Sequence, residues 1–266
     1  MDRFFLERIA RNGNLCFILD YDGTLTPIAN QPSQARLKPR VRALLKDLAG
    51  MPGVKVAIMS GRSLNDLERS VGVKGLDYVG NHGLERKIQG LLEIDPFAVQ
   101  LRQSISKLSD KLKWALKDMP GVLVEDKTYS VSVHYRNVAP QNISKVRRIF
   151  QKTWHDFQVK VSFRVRPGKK VWEVRPVYGC SDKGKAIGSL LRSMPTAQRK
   201  GLRMIYIGDD RTDEDAFAVL RRSDASFYVG SGVRTRAQHK LRSPKEVFDL
   251  LKQIREIRKG VRSRCA

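Results

Sequence analysis

Apolar residues along the chain follow two patterns, and the change between them divides it. Cys16 to Leu19 form an unbroken apolar run that stops at Asp20 and Asp22, with Gly23-Thr24 next. A short apolar run closed by a turn predicts a buried strand, here residues 15–20. Val41, Leu44, Leu45 and Leu48 recur at helical spacing and predict a helix near 39–49, broken by Met51-Pro52-Gly53. Val54 to Met59 reads as a second buried strand ending at Ser60-Gly61-Arg62. A helix then begins near Leu64 and stops at Gly72 and Gly75, and Tyr78 to Glu85 reads as a strand entering a turn. This alternation predicts a doubly wound parallel sheet with helices on both faces.

The pattern differs in residues 95–177. A stripe of Leu101, Ile105, Leu108, Leu112 and Leu116 predicts a long helix over 97–118, stopped by Pro120-Gly121. Strands follow at Val122–Glu125 and Tyr129–Tyr135, the second with Val131 and Val133 alternating. A helix over Gln141–Trp154 comes next, then strands at Val159–Val165 and Lys170–Arg175 around a Pro167-Gly168 turn. The αββαββ order predicts an inserted α+β module and also reads as an internal duplication. From Asp182 the α/β pattern resumes with a helix, a strand at 203–207, a helix, a strand at 226–229 and a final helix over 244–258. The expected division is therefore a core in two parts, 1–94 and 178–266, around an insertion at 95–177.

Two acidic clusters lie at the ends of apolar strands. Asp20 and Asp22 close the first strand, and Met204 to Gly208 runs into Asp209, Asp210, Asp213, Glu214 and Asp215. Ligands of open α/β sheets bind beyond the carboxyl ends of strands. Close carboxylates there repel one another unless a cation or proton intervenes, and hard oxygen donors suit Mg²⁺. A surface turn and a solvated acidic loop are the alternative readings.

Asp20-Tyr21-Asp22-Gly23-Thr24, Ser60 in Ser60-Gly61-Arg62, Lys183 in Ser181-Asp182-Lys183-Gly184, and Gly208-Asp209-Asp210 occur in this order. The set resembles the four signatures of the haloacid dehalogenase superfamily of phosphotransferases. Gly80-Asn81-His82-Gly83, His134-Tyr135-Arg136, Glu173-Val174-Arg175-Pro176 and the run from Gly208 to Phe217 add to it. Together with the αββαββ insertion, they resemble the trehalose-6-phosphate phosphatase family, from residue 15 to about 230. The resemblance implies a Mg²⁺-dependent phosphatase that completes trehalose synthesis through an aspartyl-phosphate. Asp20 would be the nucleophile and Asp22 the general acid and base, with Ser60 and Lys183 holding the phosphoryl group. Metal would be held by Asp20, the backbone carbonyl of Asp22, and Asp209, with Asp210 and Asp213 orienting its waters. Glu125, Lys127, Arg136 and Glu173 in the insertion would bind the sugar hydroxyls, where charged groups make the stronger hydrogen bonds. These four would lie far from Asp20 until the insertion closes over substrate by hinging near 94–97 and 176–180. His82 is expected to fix its glycine-flanked loop and His134 to be packed.

Composition adjusts this picture in one respect. Lys and Arg number 51 against 27 acids, a net charge of +24. The excess is +4 over 1–94, +10 over 95–177 and +10 over 178–266, densest at Lys252, Arg255, Arg258, Lys259, Arg262 and Arg264. A basic nucleic-acid-binding module would account for the charge but not for the ordered signatures. A solvated face and attraction of anionic substrates are the readings preferred here. Another sugar phosphate, such as sucrose phosphate, remains an alternative substrate. A regulatory relative without activity would be expected to lack one of Asp20, Asp22 and Asp209. No apolar run approaches the roughly 20 residues of a membrane helix, and the first residues do not read as a signal peptide. Cys16, Cys180 and Cys265 have no metal-ligand spacing. A cytoplasmic monomer acting on a small sugar phosphate is expected.

Overall fold

The structure, a computed structural model, describes residues 3–10, 13–157, 162–177, 179, 182–231 and 234–262. Most predicted elements are present. β1 (Leu15–Asp20), β2 (Val54–Met59), β3 (Asp77–Gly80), β10 (Arg203–Gly208), β11 (Ala225–Val229) and β12 (His239–Leu241) form the parallel part of one sheet. Its order is β12-β11-β10-β1-β2-β3, with β4 (Glu85–Ile88) and β5 (Leu91–Ile94) added at the edge.

β4 and β5 are antiparallel and form a hairpin absent from the sequence reading, which expects a wholly parallel sheet. The turn between them is Gln89-Gly90, both at positive φ (52° and 83°), the backbone that a two-residue hairpin needs. β12, three residues long, was also not foreseen.

Helices cover both faces of this sheet. On one face α2 (Pro39–Ala49) buries Val41, Leu44, Leu45 and Leu48, and α9 (Pro244–Arg262) buries Val247, Leu250, Leu251 and Ile254. α3 (Leu64–Val71) starts under a Ser63 cap, whose side chain accepts from the Asp66 amide, and ends at Gly72 in the left-handed region. On the other face α6 (Lys183–Ser193) buries Ala186, Ile187 and Leu190. Its cap is Asp182, which accepts from the Lys185 amide at 2.7 Å. This sheet keeps β1 central, so Asp20 sits at a strand end walled by β2 and β10.

The insertion has the expected αββαββ order: α4 (Pro96–Leu116), β6 (Leu123–Asp126), β7 (Val131–His134), α5 (Ile143–His155), β8 (Phe163–Gly168) and β9 (Val171–Pro176). Residues 159–161 of the expected first strand of the last pair lie outside the described residues. The four strands make one antiparallel sheet, β6-β7-β9-β8. Val131, Val133 and Val174 pack against Ile105, Leu108, Leu112, Val146 and Phe150 of the two helices. Strand alternation then turns Ser132 and Glu173 to the opposite face. Register places Glu125, Ser132 and Glu173 in one row across three strands. Among the described residues, no helix is long and apolar enough to cross a membrane.

Candidate active site

Asp20 ends β1 with its side chain buried, and Oδ1 accepts from Lys183 Nζ at 2.6 Å. Lys183 opens α6 and is only 2% exposed. Its ammonium donates equally to Asp213 Oδ1, also at 2.6 Å. Burial works against that charge, but Asp20 and Asp213 override it and hold the lysine pKa well above its ordinary value.

Asp213 is fully occupied. Its Oδ1 accepts from Lys183 and from the Tyr206 hydroxyl at 2.6 Å, and its Oδ2 accepts from the amides of Asp209 (3.0 Å) and Asp210 (2.8 Å). Four donors match the acceptor capacity of one carboxylate. The Asp213 side chain ties the Asp209-Asp210 turn to Lys183, and the helix that follows is short, α8 (Glu214–Phe217), with Val219 half exposed.

Carboxylate oxygens of Asp20, Asp209 and Asp213 lie within 4.8 Å of one another. Gly23 permits this approach. It sits at φ +89°, and a Cβ there would fall 2.0 Å from Asp209 Oδ2. Burial and the neighbouring carboxylates push the Asp20 pKa well above its usual value against the pull of Lys183. Burial also raises Asp209, to about 6, although Lys169 opposes the shift. The cluster is therefore short of positive charge, and its donors are hard oxygens, so it can hold a metal ion. Because Asp213 has no acceptor site left, Asp20 and Asp209 are the carboxylates with room for one.

Asp22 does not point at this cluster. Both of its oxygens accept from Arg62, from Nε and Nη2 at 2.7 Å each. Ser60 is buried at the end of β2, where its Oγ accepts from the Arg62 amide, and it lines the same cleft as Asp20, Asp22, Lys183 and Asp209.

The insertion closes the cleft from the opposite side. Glu125, Lys127, Arg136 and Glu173 line it together with the acidic cluster. Glu173 is nine-tenths buried and accepts from Arg175, from His82 Nε2 (3.0 Å), and from Lys127 Nζ and Ser132 Oγ (3.2 Å each). Burial would raise its pKa, but Arg175, His82 and Lys127 drive it well below the usual range. Burial likewise opposes ionisation of Glu125, yet Lys127 and the His134 hydrogen bond (2.9 Å) lower it to about 2. His134 is thus a hydrogen-bond partner of Glu125 rather than a packed ring. Arg136 donates to the Lys169 carbonyl at 2.7 Å.

In the structure the insertion meets the core directly. Lys127 Nζ donates to the Gly61 carbonyl at 3.0 Å. Asn81 Nδ2 donates to the Lys127 carbonyl at 2.8 Å, and Asn81 Oδ1 accepts from Ser130 Oγ at 2.5 Å. Asn81 and His82 are held at positive φ (47° and 57°), and a Cβ on Gly61 would strike the His82 ring at 2.2 Å. The Gly80–Gly83 turn is thus a docking point for the insertion, and the loop-fixing role expected of His82 extends to Glu173. Lys169, in the turn between β8 and β9, donates to Asp209 Oδ2 at 2.5 Å and to the Asp209 carbonyl at 2.8 Å. Sequence reading missed Arg62 and Lys169 as members of this cleft, and the contacts of Asn81 and Ser130 that dock the insertion on the core.

A model of the trehalose-phosphatase family matches residues 18–249. The chain belongs to that family. It is similar to the probable trehalose-phosphate phosphatase 2 of Oryza sativa subsp. japonica, with 35% identity over 94% of this chain and 70% of the relative. The probable trehalose-phosphate phosphatase H of Arabidopsis thaliana is 33% identical, over 93% of this chain and 74% of its own. Among solved structures, the C-terminal domain of the C. albicans trehalose-6-phosphate phosphatase superposes with a TM-score of 0.82 at 25% identity, covering 97% of this chain and 98% of that one. In these family terms, the acidic cluster belongs to the haloacid dehalogenase-like core and the Glu125–Ser132–Glu173 row to its α+β insertion.

Proposed function

We infer that the chain is a phosphoric monoester hydrolase that releases phosphate from trehalose 6-phosphate, with Mg²⁺ as its metal. The observation that carries this reading is the meeting of two unlike surfaces in one cleft. Asp20, Lys183 and Asp209 face Glu125, Lys127 and Glu173 across it. The first set suits a phosphoryl group, and the second a hydroxyl-rich sugar.

Asp20 Oδ1 is held by Lys183, which leaves Oδ2 to attack phosphorus and form an aspartyl-phosphate. The sugar oxygen departs as its bond to phosphorus breaks, and Asp22 supplies the proton. Asp22 then takes a proton from the water that attacks the aspartyl-phosphate, which returns Asp20 and releases phosphate. Ser60 and Lys183 hold the phosphoryl oxygens, and Lys183 balances the charge that grows on them. Asp20, the Asp22 carbonyl and Asp209 would hold Mg²⁺, which when bound polarises the phosphoryl group and relieves repulsion between the carboxylates. Asp213 and Asp210 stand behind these ligands.

The contacts between insertion and core describe a closed cleft. We place the units at 1–94 with 178–266, and at 95–177, with hinges near 94–97 and 176–180. Substrate entry then requires Lys169 and Lys127 to leave Asp209 and Gly61. Asp20→Asn should abolish phosphate release while the melting temperature stays within a few degrees of the parent. Near-normal turnover by that variant would remove the nucleophile assignment.

A further inference from the structure

Arg62 is only 4% exposed and its guanidinium is bonded on every side. Behind the fork, Nη1 donates to Asp66 Oδ2 (2.7 Å) and Ser70 Oγ (3.4 Å), and Nη2 donates to the Pro32 carbonyl (2.7 Å). The guanidinium carbon lies 4.9 Å from the Tyr21 ring centroid. The front of the fork takes both oxygens of Asp22. Arg62 is therefore immobilised by α3, the loop before α2 and an aromatic face. Asp22 is the movable partner: its side chain is 38% exposed, and it sits in a turn beyond the strand end.

We propose that Arg62 is a positioning residue for Asp22. It holds the carboxylate in the wall of the cleft that Asp20 also lines and guides one oxygen to the departing sugar while the Nε contact retains the other. The inference rests on the assignment of proton delivery to Asp22 made above. A carboxylate in a wet turn samples several rotamers, whereas one pivoting on a fixed guanidinium is confined to an arc. The bidentate fork matters here, because a lysine is a point charge that cannot hold two oxygens in a plane. A residue that only braced the fold would support every substrate alike. A residue that aims Asp22 matters in proportion to the leaving group's need for a proton. A sugar alkoxide needs one, and p-nitrophenolate does not.

The test compares Arg62→Gln, Arg62→Lys and Asp66→Asn on trehalose 6-phosphate and p-nitrophenyl phosphate, with melting temperatures alongside. Arg62→Gln should lower kcat/KM for the sugar ester about 10- to 100-fold, a part of what a positioned acid contributes; kcat/KM reports the steps through aspartyl-phosphate formation and not the hydrolysis that both esters share, and it is the quantity compared throughout. The aryl ester should lose less than about fivefold, and Arg62→Lys should not restore the ratio. Asp66→Asn leaves Arg62 in place but unbraced, so it should shift the ratio the same way by less. It carries the test if the Arg62 variants do not fold. Equal fractional losses on both esters, or a ratio unchanged in all three variants, would overturn the proposal. Asp22→Asn separates the two levels. If it keeps sugar-ester turnover, the acid assignment falls and this inference with it. If it loses that turnover while Arg62→Gln keeps the parent ratio, only the role of Arg62 falls.

Discussion

Lys183→Met removes the cation that bridges Asp20 and Asp213 while keeping most of the side-chain length. Both contacts are 2.6 Å, and the three groups are almost fully buried. Breaking a buried pair by removing one partner costs about 3–5 kcal/mol. For a chain of this size each kcal/mol lowers the melting temperature by about 2–4 °C, which gives a drop of roughly 6–20 °C. The deficit should deepen as pH rises from about 5 to 8, because protonation of one crowded carboxylate compensates only at the acidic end. A divalent cation should restore part of the loss, since it supplies the missing charge to Asp20 and Asp209. The assay is thermal unfolding of parent and variant at several pH values, with millimolar Mg²⁺ or with a chelator. A variant that melts within about 2 °C of the parent, or gains no more from Mg²⁺ than the parent does, would refute the charge argument.

Three further outcomes are expected. Glu173→Ala should cut kcat/KM for trehalose 6-phosphate about 10- to 150-fold, the value of a charge-assisted hydrogen bond, with much less effect on p-nitrophenyl phosphate; equal losses would give the residue a folding role. Burial, reinforced by the nearby Arg175 charge, lowers the His82 pKa to about 3 against Glu173, so the unfolded chain takes up a proton here before the folded one does. The stability this neutral imidazole supports is therefore present above about pH 6.5 and is lost as pH falls toward 3. His82→Asn should flatten the melting-temperature profile in that window, and parallel profiles would count against the assignment. Lys169→Ala should leave Asp209 freer for metal and lower the Mg²⁺ concentration needed for half-maximal stabilisation; an unchanged requirement would mean that the Lys169 contact is too weak to compete.

The parts of the site that were legible in the sequence are those fixed locally. Asp20, Ser60, Lys183 and Asp209 each end a strand or open a helix in a short run, so the local pattern carries the position as well as the residue type. Glu125 and Glu173 were legible through the family resemblance of the insertion, and strand alternation, which turns Val133 and Val174 to the helices, is the physical reason they face the cleft. Arg62 adjoins Ser60-Gly61, but its reach to Asp22 depends on Pro32, Asp66 and Tyr21, which only the fold brings together. Lys169 and Lys170 are adjacent in one turn, and only the docking of the insertion shows which of them meets Asp209. The β4–β5 hairpin carried a signal in Gln89-Gly90 between two short strands. It was obscured because glutamine seldom occupies a positive φ and because exposed Leu91 and Leu92 do not alternate with polar residues.

Phosphate release from a panel of sugar phosphates tests the central claim most directly. The panel should contain trehalose 6-phosphate, sucrose 6-phosphate and glucose 6-phosphate, each with Mg²⁺ and after exhaustive chelation. The account predicts the highest kcat/KM for trehalose 6-phosphate, at least about tenfold above the others, and no release without a divalent ion. Preference for another sugar phosphate, or full activity in the chelated protein, would contradict it.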